Sequence, residues 1–150
     1  MLLQAAFKNY LWGGTRLRDT YHLPCENLDK VAEAWVLSCH KDGESIIQNG
    51  ALTGMTLTQA IRQYPSLCGT NCKKFERFPV LMKLIDARDN LSVQVHPADD
   101  YALQYEGEYG KTEMWYVVDC EPGAYLYYGF QQTITKEQLR NCIAQHTLET

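Results

Sequence analysis

Two short blocks carry the side chains best suited to chemistry: Leu91-Ser92-Val93-Gln94-Val95-His96-Pro97 and Lys111-Thr112-Glu113-Met114-Trp115-Tyr116. In the first, apolar Leu91, Val93 and Val95 alternate with polar Ser92, Gln94 and His96. Successive side chains of a β-strand point to opposite faces, so a hydroxyl, an amide and an imidazole would share one face. In the second block Lys111 and Glu113 repeat that spacing. If the two segments are neighbouring strands, Gln94, His96 and Glu113 converge as a weak carbonyl oxygen, a neutral nitrogen and an anionic oxygen. Mixed nitrogen and oxygen donors suit zinc and other divalent metals and leave a position open for substrate. An inward-facing polar row is costly unless its groups are paired or bound.

The set has two strong donors and a weak one, whereas a catalytic zinc normally keeps three protein ligands. The other histidines, His22 in the opening loop, His40 after the first long strand and His146 near the C-terminus, supply no obvious third. An ordinary strand-end lysine is solvated. Beside Glu113, however, the Lys111 ammonium could attract a phosphate or take part in proton transfer. Lys83 interrupts the apolar run Val80 to Ile85. It either snorkels outward or points into a polar pocket.

The elements that must position these groups are short. Residues 1–30 read as an irregular opening segment, with Trp12-Gly13-Gly14-Thr15 as a turn or loop. Val31 to Ser38 reads as a strand with Glu33, Trp35 and Leu37 on one face. A second short strand starts at Ser45-Ile46-Ile47 and ends at the Asn49-Gly50 turn pair. Thr56 and Gln59 have capping-box spacing ahead of a helix to about Tyr64, which Pro65 stops. Cys68 to Arg77 reads as a polar loop. Val80–Asp86, Leu91–His96, Glu113–Val118 and Ala124–Tyr128 read as strands, with a helical turn around 99–104. Thr135 and Gln138 form a second capping box, and Leu139, Cys142 and Ile143 follow on one helical face. The pattern fits a mainly β fold, an antiparallel barrel or sandwich with small helices at its edges.

The chain has 150 residues, 45% of them apolar and 21% charged, with ten Tyr and three Trp. That is enough for one domain with a real core. A net charge of −4 with no basic run argues against nucleic acid as a partner. No apolar run is long enough to span a bilayer, and the stretch Met1 to Lys8 is too short and polar for a signal peptide. The expected location is the cytoplasm, with the six cysteines as free thiols. Cys68-Gly-Thr-Asn-Cys72 lacks the second pair or the two histidines that a structural zinc needs.

Taken together, these blocks resemble the type I mannose-6-phosphate isomerases (phosphomannose isomerases), particularly the shorter bacterial form. The matching residues are Trp12-Gly13-Gly14, Glu33-x-Trp35-x-x-Ser38-x-His40, Asn49-Gly50, Phe78-Pro79-x-Leu81-x-Lys83-x-Ile85-Asp86-Ala87, Leu91 to Pro97 with Asp99, and Gly110-Lys111-Thr112-Glu113-x-Trp115-Tyr116. They run in family order across nearly the whole chain.

The resemblance implies a cupin (jelly-roll) fold and a zinc-dependent aldose–ketose isomerase acting on a phosphorylated hexose. It matches Gln94, His96 and Glu113 to metal ligands. Ser92, Lys83 and Lys111 match positions that contact the sugar phosphate or assist proton transfer, with Lys111 or a metal-bound water as the base. Family members continue further, into a second barrel half with another histidine ligand and an arginine. Residues 1–150 are therefore expected to be a single domain, the N-terminal part of the cupin, with an incomplete barrel whose exposed edges a homodimer could cover. The readings that compete with catalysis are a non-catalytic cupin that binds a sugar phosphate or metal, and an inactive fragment. A cupin oxygenase would want more histidines.

Overall fold

A computed structural model describes residues 1–148. The expected 1–150 domain thus extends two residues beyond the described ones. Chain packing separates two units, Met1–Ser92 and a second that begins at Val93.

The first unit is built on β3 (Glu33–Leu37), the alternating segment that the sequence marks as a strand. It sits between β2 (Ala6–Lys8) and β7 (Met82–Ile85) in an antiparallel three-stranded sheet, with Trp35 opposite both Ala6 and Lys83. The register shifts between Trp35 and Leu37, as at a β-bulge. Two smaller antiparallel pairs flank it: β1 (Leu3–Gln4) with β6 (Ile46–Ile47), and β4 (Cys39–His40) with β5 (Gly43–Glu44). The opening 30 residues are more ordered than their irregular sequence suggests. They supply β1, β2 and the short helix α1 (Arg16–Asp19), because Ala5, Phe7 and Leu17 pack into the core with Val31, Ala34 and Cys25.

The paired glycines have a different role from the flexible turn expected of them. Neither has a positive φ. Gly13 bridges to Ala87 and Gly14 to Val31, and a Cβ on Gly13 would lie 2.6 Å from the Ala32 backbone. Close backbone approach, rather than backbone freedom, requires glycine here. Asp86 uses the same narrow space, accepting from Arg16 N–H at 2.7 Å.

Helix α2 (Leu57–Gln63) starts with the complete Thr56/Gln59 capping box and buries Leu57 and Ala60. Pro65 ends it and opens a 3-10 turn, Pro65–Cys68, followed by another, Asn71–Lys74. The polar loop predicted from Cys68 to Arg77 therefore has local helical order.

In the second unit, α3 (Asp99–Tyr105) buries Ala102, and α4 (Lys136–Gln145) begins with the complete Thr135/Gln138 capping box. Three predicted strands are not strands here. Residues 91–96, 113–118 and 124–128 form no ladder among the described residues. Alternation specifies which side chains share a face, but a strand also needs a hydrogen-bonding partner beside it. Their apolar side chains are accordingly open: Val95 is 78% and Tyr116 83% exposed. The described residues contain antiparallel sheets and short helices but no closed barrel, which agrees with the incomplete-barrel form of the mainly β prediction.

Candidate active site

Two clusters of polar side chains hold most of the predicted functional residues, one in each unit.

In the first unit, Glu33 is buried within β3. Its Oε2 accepts from Trp35 Nε1 at 2.6 Å and meets Lys83 Nζ at 3.0 Å. Glu33 and Trp35 are two residues apart on one strand, so they share a face. Lys83 reaches that face because β7 pairs with β3 and sets Lys83 opposite Trp35. The ammonium also lies 4.8 Å from the Trp35 ring centroid, while Lys8 lies over the same ring at 4.4 Å. Lys83 thus takes the second of its two predicted courses, into a polar cluster. Cation–π contact and the carboxylate together offset the cost of drawing its charge out of water.

Beneath Trp35 the motif continues as a buried hydroxyl seam. Ser38 N–H donates to Ser45 Oγ at 3.0 Å, and His40 N–H donates to Ser38 Oγ at 3.1 Å. The His40 ring stands edge-on to Trp35 with centroids 5.5 Å apart, and its Nδ1 accepts from Asp42 N–H at 3.2 Å. His40 is thereby tied into packing. His22 and His146 are exposed, both with positive φ. Ser92 is exposed at the end of this unit.

In the second unit, Glu113 bridges two predicted partners. Its Oε2 is 3.0 Å from His96 Nε2, and its Oε1 is 2.7 Å from Lys111 Nζ. Partial burial pushes the Glu113 carboxyl up. The Lys111 hydrogen bond and charge, followed by the His96 contact, outweigh that effect and hold it below the usual carboxylate range. Gln94, two residues before His96, is exposed.

No strand pairing brings His96 and Glu113 together, contrary to the basis on which they were predicted to meet. Gly110 does this work instead. Its N–H donates to Asp99 Oδ1 at 2.8 Å, and a Cβ there would lie 2.6–2.7 Å from the backbone of Pro97, Ala98 and Asp99. Only glycine lets the chain at position 110 approach the backbone of 97–99 this closely. Gly110 and Asp99 stand within the sequence motifs, but the expected chemistry calls on neither residue. The signal available was a lone glycine directly before Lys-Thr-Glu, with an acidic residue at the start of a helix. His96, Asp99, Gly110, Lys111 and Thr112 border a cleft of about 360 Å³.

The donor set fits part of a divalent metal's coordination shell. Zinc–nitrogen and zinc–oxygen bonds of about 2.0–2.2 Å at the tetrahedral angle put adjacent ligand atoms about 3.4 Å apart. His96 Nε2 and Glu113 Oε2, in direct contact at 3.0 Å, would need to part only slightly to reach that separation. Among the described residues no group of three His, Cys, Asp or Glu side chains converges to hold a metal. The structure therefore brings together two strong donors, His96 and Glu113, while the expected weak donor Gln94 is near His96 only in sequence.

Comparison with known proteins identifies the family. The family described as "Phosphomannose isomerase type I, catalytic domain" matches residues 1–121. The chain belongs to this family. It is 44% identical over 146 residues to the "Probable mannose-6-phosphate isomerase GmuF" of Bacillus subtilis, covering 95% of this chain and 44% of that one. The "Mannose-6-phosphate isomerase" of Streptococcus mutans is 42% identical, with 96% and 44% covered. A crystal structure of the mannose 6-phosphate isomerase from Bacillus subtilis superposes with a TM-score of 0.87 at 37% identity, over 98% of this chain and 46% of that one. The chain's backbone thus matches the cupin fold of this family, and the chain spans about half the length of the relatives it matches.

Proposed function

We propose that this chain carries part of the catalytic centre of a metal-dependent aldose–ketose isomerase that interconverts mannose 6-phosphate and fructose 6-phosphate. The observation that carries the reading is Glu113, held between His96 and Lys111 beside an open cleft. We assign Gln94, His96 and Glu113 as metal ligands. Lys111 is the catalytic residue and a phosphate contact, and Lys83 and Ser92 bind and orient the substrate.

The isomerisation moves a proton between C1 and C2 through an enediol. A divalent metal, zinc in this reading, would supply Lewis-acid stabilisation of negative charge on the sugar oxygens. Glu113 stays ionised through neutral pH because Lys111 favours its charged form, so it is ready to act as a ligand. Lys111 Nζ can hold or move a proton at the cleft edge, or meet the phosphate dianion as a point charge. Lys83, fixed by Glu33, presents a cation with little freedom to lose on binding.

A coupled isomerase assay on the purified chain with added zinc, alongside its metal content, tests the reading. Turnover that disappears in Glu113→Ala is the expected result. Absence of both turnover and bound metal would overturn it. A second reading, a cupin that binds a sugar phosphate without turning it over, is favoured by the convergence of only two strong metal donors. It predicts thermal stabilisation by mannose 6-phosphate without product formation.

The phosphosugar is the partner we assign, with no role for nucleic acid or a membrane. No helix among the described residues is long and apolar enough to cross a membrane, and we place the protein in the cytoplasm. The open segments around Val95 and Tyr116 support a homodimer that covers unpaired edges. A strictly monomeric species by light scattering would exclude it.

A further inference from the structure

The segment between α2 and β7 holds chemistry that the isomerase reading does not use. Cys68 ends one 3-10 turn, and Cys72 lies inside the next. Gly69 has a φ of +67°, which only glycine adopts readily, and it turns the chain so that the two turns pack together. Cys72 lies close enough to Cys68 to help raise its thiol. Both border a cleft of about 170 Å³ with Lys73, Glu76 and Arg77. Both are free and partly exposed, so a reagent can reach them, whereas Cys25 is buried.

We propose that Cys68 and Cys72 are a redox modification site, a dithiol that a small carboxylate-bearing disulfide of the glutathione class closes into an intramolecular disulfide. One thiolate attacks a sulfur of the reagent RSSR and expels RS⁻, leaving a mixed disulfide on the protein. The second thiolate attacks the protein sulfur of that mixed disulfide and expels the second RS⁻. The two protein thiols are oxidised, the reagent is reduced to two RSH, and the two thiol protons end on the leaving thiolates. Lys73 and Arg77 on the cleft wall favour a reagent that carries carboxylates. The two thiols sit on packed turns three residues apart, so closure to an S–S bond of about 2.05 Å needs only a local rearrangement. Burial pushes the Cys68 thiol up, so closure is slow at neutral pH and faster in mild alkali.

Cys39, on β4, is the competing partner, because it lies close enough to Cys68 to feel its charge. The geometry favours Cys72, which unlike Cys39 borders the same cleft as Cys68 and is separated from it by only three residues. In a reducing cytoplasm such a bond is transient, as redox-sensing disulfides are.

The experiment is peptide mapping by mass spectrometry of the native chain after equilibration with oxidised glutathione. Cleavage after Arg62 and Lys73 releases a peptide that contains Cys68 and Cys72 and no other cysteine. The expected result is that this peptide loses two hydrogens, and that it does so at lower oxidised glutathione in the native chain than in urea. Reversal by dithiothreitol is expected too. Cys68→Ser and Cys72→Ser should each trap a glutathione adduct in place of the ring. A stable adduct on the unsubstituted chain, a cross-link from Cys68 to Cys39, an unchanged peptide, or equal closure in urea would each overturn the proposal. Mapping the unsubstituted chain decides the matter even if a variant fails to fold.

Discussion

Gly110 donates its backbone N–H to Asp99 Oδ1 at 2.8 Å, and the two backbones lie so close that no side chain fits between them. This contact, rather than a strand ladder, lays Lys111 and Glu113 beside His96.

Gly110→Ala should therefore disturb the site without touching any of its polar groups. An added Cβ would meet Pro97, Ala98 and Asp99 at 2.6–2.7 Å, all through backbone atoms that cannot swing away. Relief requires the 110–113 segment to lift, which separates Glu113 from His96. Overpacking of this kind costs about 1–3 kcal/mol. Zinc titration by calorimetry should show weaker binding in Gly110→Ala than in the parent chain. Asp99→Asn keeps the backbone contact and an oxygen acceptor, so it should have a smaller effect. Equal zinc affinity in Gly110→Ala and the parent would refute the role assigned to this glycine.

Glu33→Ala should destabilise the first unit more than an ordinary surface change. It removes the partner of Lys83 and the acceptor for Trp35 Nε1 together. Breaking a fully buried pair costs about 3–5 kcal/mol, and the partial exposure of Lys83 should reduce this to about 2 kcal/mol. Glu33→Gln retains an acceptor and should cost less. Urea unfolding followed by Trp fluorescence gives both values. A loss under about 0.5 kcal/mol for Glu33→Ala, the size of a neutral surface substitution, would show that the cluster contributes little.

What the sequence made legible differs between the two units. The strand at β3, its Glu33–Trp35 face and both capping boxes were readable, because periodicity and cap chemistry are local properties. The meeting of His96 and Glu113 was expected from spacing on two neighbouring strands, and the structure brings them together without those strands. The strands inferred at 91–96, 113–118 and 124–128 were not delivered, because alternation cannot supply a ladder partner. The opening strands β1 and β2 were missed for the complementary reason: segments of two and three residues are too short for a period to register. Gly13, Gly14 and Gly110 act through contacts with residues that a single sequence does not pair.

Stability should fall as the pH rises through the thiol range. Burial pushes the Cys25 and Cys39 thiols above their ordinary value of 9.0. Below that value both groups are protonated in the folded and unfolded chain, so their full contribution is present. Above it the unfolded chain releases these protons first, and stability is lost as the pH climbs towards the raised folded values. Melting temperatures measured from pH 8 to 10.5 should decline, and Cys25→Ala with Cys39→Ala should decline less steeply over the same interval. Parallel curves would show that other groups carry the alkaline loss.

Gly13→Ala and Gly50→Ala should both destabilise the fold, through different physics. Gly50 has a φ of +79° and open space around its Cβ position, so alanine there meets backbone strain alone. The left-handed conformation costs a non-glycine residue about 1–2 kcal/mol. Gly13 has an ordinary φ, but its Cβ would fall 2.6 Å from the Ala32 backbone in the core sheet. Relief there must move β3, and with it Glu33 and Trp35. Gly13→Ala should therefore change the near-ultraviolet circular dichroism of Trp35 as well as lower the unfolding midpoint, whereas Gly50→Ala should lower the midpoint alone. Gly50→Asn, which tolerates a positive φ, should recover part of the loss. Gly13→Asn should recover none, since any side chain at that position meets the same backbone. A spectrum unchanged by Gly13→Ala would mean that the opening segment, and not β3, gives way.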